Sequence, residues 1–202
     1  MIFITFVVNN FRTTGVGMTG PNQGPGNAGK TGREMTAVAC TPAIRDAVSE
    51  TEGNLVSHTT QSILRYWEYI RGDRIWPDRA SLDPVRIPEL LPHLMIYQIE
   101  KDPLDFICRL SGTFIDSHLP VSPTGRRASE TPQLGAPGPF WELMKQSALT
   151  GLPMAATLKD IGIHSTFATC EAVALPLSLR GSAVDQLLLG VDFVSQHRDA
   201  DY

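Results

Sequence analysis

Cysteine is scarce in this chain. Cys40, Cys108 and Cys170 are the whole complement, separated by 68 and 62 residues. An odd count at that spacing is not a disulfide framework, and no CxxC pair offers a zinc site. The reading that fits is three reduced thiols in a cytoplasmic protein. Positive charge is also short. Lys and Arg number 17 against 21 Asp and Glu, a net charge of -4. A nucleic-acid-binding domain is normally basic, and a polybasic patch is what holds a protein to anionic lipid. Neither nucleic acid nor membrane is therefore expected as a partner. No apolar run approaches the ~20 residues that cross a bilayer. The rest is the composition of a globular protein, 42% hydrophobic and 7% aromatic, and 202 residues can bury a core without staples.

What is present changes along the chain. Ile2–Val8 (IFITFVV) is apolar but short. No basic residue precedes it and no clean small-residue cleavage site follows, so it does not fit a secretory signal. Met18 and Met35 are alternative starts. Gly15–Gly32 holds 7 glycines in 18 residues, too little apolar surface to offset its ordering entropy. Residues 1–57 are accordingly expected to be a disordered Gly-rich extension, with at most a short helix at Pro42–Val48. That extension has 4 basic and 4 acidic residues, which leaves the whole net charge on residues 58–202. Residues 58–197 are expected to form the domain and 198–202 a tail.

Within the domain, Ile63, Leu64, Trp67 and Ile70 make a helical stripe over Thr60–Arg71, stopped by Gly72. Leu94–Glu100 and Asp105–Ser111 read as strands joined by Lys101-Asp102-Pro103, hence a hairpin. Gly112–His118 reads as a helical turn, Pro120–Pro139 as loop, and Phe140–Thr150 as a helix. Pro153–Lys159, Ser165–Leu177 and Ala183–Val194 read as three more strands. Hairpins with helices gathered between them predict an antiparallel α+β sheet, not a doubly wound one.

Gly24–Thr31 (GPGNAGKT) fits the P-loop pattern letter for letter, with Lys30 for phosphates and Thr31 for magnesium. Its surroundings do not suit the part. A P-loop follows a buried strand directly, whereas Ile2–Val8 ends sixteen residues earlier, and Pro42 interrupts the helix that should follow. Nucleotide binding through residues 24–31 is the remote alternative. The five histidines form no HxxxH or HExxH set, no GxSxG elbow or kinase motif is present, and the carboxylates are scattered. No metal site and no catalytic residue is expected. By alternation Phe106, Cys108 and Leu110 share one strand face, which is either ordinary core or the floor of a small apolar cavity.

The segment Leu64–Thr113 carries a further signal. In order along the chain stand Tyr66-Trp67, Arg71-Gly72, Pro77 with Arg79, Asp83-Pro84, Ile87-Pro88 with Leu90–His93, Phe106 with Arg109-Leu110 and Gly112-Thr113. Beyond them come Thr124-Gly125, Thr150-Gly151 with Pro153, Leu175–Leu177 and Leu188–Gly190. This pattern resembles a bacterial subfamily of PAS domains, mostly small single-domain proteins of the alphaproteobacterial type, over about residues 60–195. The resemblance implies a PAS-like five-stranded antiparallel sheet with helices on one face, here preceded by the amphipathic helix and the leader. It implies sensing or protein interaction in signal transduction, with no catalytic residue and no family-wide cofactor to carry over.

The ligand-pocket candidates under this reading are Phe106, Cys108, Leu110, Phe114, His118 and Trp141. Trp67, Arg79, Asp83, Pro84, Pro92, Arg109, Gly112, Thr113 and Gly125 match the pattern without a known role. Of these, Asp83 is expected to cap a helix, Gly112 and Thr113 to set a strand-to-helix turn, and Arg109 to pair on the sheet face with Glu171. No flavin-photoreceptor motif surrounds a cysteine, and His118 is the best-placed residue for a haem iron; neither flavin nor haem is expected. The expected partners are a small apolar or amphipathic ligand, a signalling protein, or a second copy meeting helix 60–71. A constitutive adaptor with a filled core is the alternative.

Overall fold

The computed structural model describes residues 31–159 and 168–195. The expected disorder of residues 1–30, the P-loop-like Gly24–Lys30 and the tail 198–202 lie outside the described residues. So do Phe167, His164 and His197.

Four helices and five strands follow in the order α1 (Thr31–Asn54), α2 (His58–Arg71), β1 (Leu94–Lys101), β2 (Leu104–Ser111), α3 (Thr113–His118), α4 (Pro139–Thr150), β3 (Met154–Lys159), β4 (Ala168–Leu177) and β5 (Gln186–Ser195). The strands form one sheet of order β2-β1-β5-β4-β3, every pairing antiparallel. This is the α+β architecture the sequence predicts. A β1–β2 hairpin leads through α3 and α4 to a β3–β4–β5 meander, whose last strand returns to pair with β1.

Strand alternation sends side chains to two separate cores. Met95, Tyr97, Phe106, Cys108, Cys170, Ala172, Ala174, Leu187 and Leu189 lie under α3, α4 and the loop between them. Leu94, Ile96, Val173, Leu175, Leu177 and Leu188 face the opposite way, toward α1 and α2. Strands β4 and β5 are buried on both sides, which is why their apolar residues run nearly continuously instead of alternating.

The expectation of helices on one face therefore describes α3 and α4, and the other face is covered too. There α2 lies on the sheet through Ile63, Leu64 and Trp67, each at most 1% exposed. The Trp67 indole N–H donates to the Pro176 carbonyl at 2.8 Å. Gly190 permits the close approach of Ile63 to the sheet. A Cβ there would stand 2.7 Å from Ile63 Cδ1. The apolar stripe of α2 is thus used within the chain, and a second copy meeting helix 60–71 would do so through its outer face, where Tyr69 is exposed.

The domain also begins earlier than residue 58. Ile44, Val48 and Leu55 are buried in the same core as Trp67, and the Thr51 hydroxyl donates to the Pro153 carbonyl at 3.3 Å. The glycine-rich composition stops at Gly32, and the short helix expected at Pro42–Val48 is part of the longer α1. Each buried aliphatic side chain there contributes about 1.5–3 kcal/mol.

Candidate functional site

The β1–β2 hairpin contains an irregularity that decides which side chains reach the interior. Its register steps between Ile96, which pairs with Leu110, and Tyr97, which pairs with Cys108. The extra residue, Arg109, is a β-bulge, and a bulge reverses the faces on either side of it. Phe106 and Cys108 stay fully buried under α3 and α4, while Leu110 turns to the reverse side and is 39% exposed. The expectation that Leu110 shares a face with Phe106 and Cys108 is corrected on that account. Ser111, opposite Met95, comes back to the inner face two positions from Tyr97.

Three buried oxygens lie on the neighbouring elements β1, β2 and α3. The Tyr97 hydroxyl, the Ser111 hydroxyl and Asp116 Oδ1 of α3 have no hydrogen-bond partner within the chain, and they are three of the five such atoms among the described residues. Beside them lies the Cys108 thiol, donating to the Leu110 carbonyl at 3.3 Å. The Tyr97 hydroxyl is close enough to feel the charge state of Cys108 and Asp116, without a hydrogen bond of normal geometry to either. Burial raises the Tyr97 phenol well above its ordinary value, and Cys108 adds to the rise. Burial likewise pushes the Cys108 thiol up to about 11. Both groups are neutral at pH 7. The second carboxylate oxygen, Asp116 Oδ2, accepts from the Ser122 hydroxyl at 2.9 Å. Buried polar atoms are nearly always partnered, by protein or by ordered water, so these three have hydrogen-bonding capacity left for water or another polar group. Asp116 Oδ1 needs a donor; either hydroxyl can donate or accept.

Phe114 and His118 of α3 form a second group with the rings of His93 and Phe193. Phe114 lies 4.2 Å from His93, 4.5 Å from His118 and 5.9 Å from Phe193, and His118 stacks on Phe193 at 4.3 Å. His118 places Nδ1 2.8 Å from the Phe114 carbonyl. His93 places Nδ1 3.1 Å from the Val191 carbonyl and 3.6 Å from Asp192 Oδ1. The ring group therefore touches β5 at Asp192.

From Asp192 the contacts continue to the start of α2. Asp192 Oδ2 accepts from the Ser57 hydroxyl at 2.6 Å. Ser57 is the N-cap of α2 and accepts from the Thr59 and Thr60 N–H groups. Opposite Asp192 on β4 stands Glu171, 3% exposed. Its carboxylate accepts from the Val56 and Ser57 N–H groups at 2.7 and 2.9 Å and from the Thr60 hydroxyl. An anion suits this position, since a helix N-terminus carries partial positive charge. The expected Arg109–Glu171 pair is thereby corrected. Arg109, on the bulge, donates to Gln98 Oε1 at 2.9 and 2.7 Å.

The six sequence candidates fall in different places. Cys108 lies at the polar centre. Phe114 and His118 sit in the ring group. Phe106 meets Trp141 edge to face at 5.0 Å. Leu110 points away. Tyr97, Ser111 and Asp116 were missed, although Tyr97 alternates with Met95 and Ile99 in LMIYQIE and so had to carry a hydroxyl inward.

The pattern residues hold the frame. Arg79 donates its N–H to the Ser178 carbonyl at 2.8 Å. Asp83 caps the 3₁₀ turn Pro84–Arg86, with Pro84 in its first turn. Trp67 anchors α2. Gly112 passes so close to Pro92 that a Cβ would lie 2.1 Å from its carbonyl oxygen. Thr113 begins α3 and is exposed. Gly125, at φ +84°, donates its N–H to the Cys108 carbonyl at 2.8 Å. Among the described residues no three His, Cys, Asp or Glu side chains gather as a metal set, and no helix is long and apolar enough to cross a membrane.

A family model described as a PAS domain matches residues 55–188, well over half of the chain. No curated protein and no solved structure matches.

Proposed function

Because the chain belongs to the PAS-domain family, we propose that it is a non-catalytic sensory or regulatory module of signal transduction. It takes a small amphipathic ligand at the centre formed by Tyr97, Ser111, Cys108 and Asp116. The observation that carries this reading is the set of three unpartnered buried oxygens on β1, β2 and α3, of which those of Tyr97 and Asp116 are close enough to interact through charge. The ligand has an apolar body, to suit the core around it, and at least one hydrogen-bond donor for Asp116. It needs neither haem nor flavin.

Output passes to another protein in the cytoplasm. A ligand shifts a conformational balance only as far as it prefers one state. Here the element it touches, α3, contacts His93 and Phe193 through Phe114 and His118. That group adjoins Asp192, which holds the N-cap of α2. A change in α3 is read out at α1 and α2. A second reading, the adaptor without ligand, draws support from two exposed apolar side chains, Tyr69 (67%) and Val85 (84%). They are linked through Arg86, which follows Val85 and donates to the Tyr69 hydroxyl at 3.0 Å. That surface is where a partner or second copy would sit.

A thermal-shift screen of small neutral amphiphiles, run on the wild type and Tyr97→Phe side by side, separates the readings. The sensor predicts compounds that raise the wild-type Tm and lose that effect in Tyr97→Phe. Responses identical in the two proteins, or none at all, would favour the adaptor.

A further inference from the structure

A groove of about 620 Å³ opens at the opposite end of α4 from its entry, between the β1–β2 hairpin, the C-terminal turn of α4 and the β4–β5 turn. We propose that this groove binds a straight-chain monocarboxylate, with the carboxylate on Lys101 and the alkyl tail along Ile99, Leu104, Leu149 and Val184. None of these residues belongs to the interior polar centre, so the proposal stands apart from the ligand reading above.

Three observations carry it. The first is charge. Lys101 is the sole charged residue among those lining the groove, and no ion pair engages it among the described residues. Glu100 and Asp102 flank Lys101 in the chain; Glu100 pairs with Arg127 at 2.8 Å, and neither acid lines the groove. Asp185 Oδ2 accepts from the Leu179 N–H at 3.2 Å, and Asp105 accepts from the Ser129 hydroxyl at 2.6 Å. A site with one cation and no anion selects a single negative charge.

The second is the walls. Apart from Lys101 and two hydroxyls, Thr150 and Ser182, the lining is apolar or glycine. Leu149 stands 66% exposed at its edge. The volume falls in the range of small-molecule sites, ~300–1,000 Å³.

The third is preorganisation. Trp76 donates its indole N–H to the Gly151 carbonyl at 2.8 Å, and its ring lies where a Gly151 Cβ would meet Cζ2 at 3.0 Å. The Leu152 carbonyl is taken by the Ser147 hydroxyl at 2.9 Å. These two carbonyls just past α4 are already bonded, and it is the alkyl tail, not the carboxylate, that lies along this end of the helix, whose partial negative charge repels an anion. A polar head with two or more charges would leave all but one unmatched, and an uncharged alcohol would leave Lys101 unused.

The test is titration of the full chain with octanoate, with 1-octanol and acetate as controls, by calorimetry and by the three indole N–H resonances in NMR. Octanoate should bind saturably and shift the Trp76 indole resonance while leaving that of Trp67 in place. Octanol and acetate should each bind at least tenfold more weakly. Lys101→Gln, a change at an exposed residue, should weaken octanoate about tenfold, as expected for loss of a charge-assisted hydrogen bond, and leave octanol unchanged. The proposal is overturned if octanoate does not bind, if octanol binds equally well, if Lys101→Gln has no effect, or if the shifts fall elsewhere. None of these outcomes depends on Tyr97.

Discussion

Gly112 and Pro92 belong to separate stretches of sequence, yet their backbones meet where β2 hands over to α3. A methyl group at residue 112 would overlap the Pro92 carbonyl oxygen at 2.1 Å, and backbone cannot yield as a side-chain tip can. Gly112→Ala should cost about 3 kcal/mol or more, while Thr113→Ala, at an exposed neighbour, should stay within about 0.5 kcal/mol. Urea denaturation midpoints of the two variants check this. The thiol of Cys108 gives a pH signature. Its folded pKa is about 11 against an ordinary 9.0, so the folded state keeps a proton that the unfolded state has lost. The associated stability is intact below pH 9 and falls as pH rises from 9 to 11, by roughly 2–3 kcal/mol. Burial raises Tyr97 and Cys170 in the same direction, adding to the decline. Cys108→Ala should flatten the part between pH 9 and 11; an unchanged slope would mean that the thiol is hydrated.

At the scale of elements, the strands and α2 were legible because alternation and the helical stripe each report one buried face. The bulge at Arg109 was not, since nothing in FICRLS breaks the alternation; only the register with Met95–Tyr97 reveals it. The partner of Glu171 was hidden for a related reason. Its three donors lie at residues 56, 57 and 60, more than 110 positions away in the chain. Helix α1 was lost to composition, because glycine-rich text precedes it and Pro42 lies inside it. The buried residues of α1 and of the turn after it give a direct test. A chain starting at residue 42 should keep Ile44, Val48 and Leu55 in the core, whereas one starting at 58 uncovers the surface they shield. The shorter chain should be about 4 kcal/mol less stable or fail to fold. Equal stabilities would show that α1 is not part of the core.

For the molecule as a whole, the order of elements and the pattern of matched residues carried the fold, and most pattern residues turn out to hold its frame. The site was less legible. Sequence alternation finds apolar faces, but an unpartnered buried oxygen is a property of three-dimensional surroundings, so Ser111 and Asp116 gave no sign. What the molecule presents is a sheet with two cores. The polar centre and ring group lie in one, the helices α1 and α2 lie on the other, and Asp192, Ser57 and Glu171 join them at the sheet. On the proposed function, that arrangement would let a ligand bound inside be read out at α1 and α2. Native mass spectrometry of the full chain, with an absorbance spectrum of the same sample, tests it most directly. The account predicts a bound small molecule, absent from Tyr97→Phe and Asp116→Asn preparations of equal foldedness. A bare polypeptide mass in all three proteins, with Tyr97→Phe as stable as the wild type or more so, would contradict it and leave the adaptor.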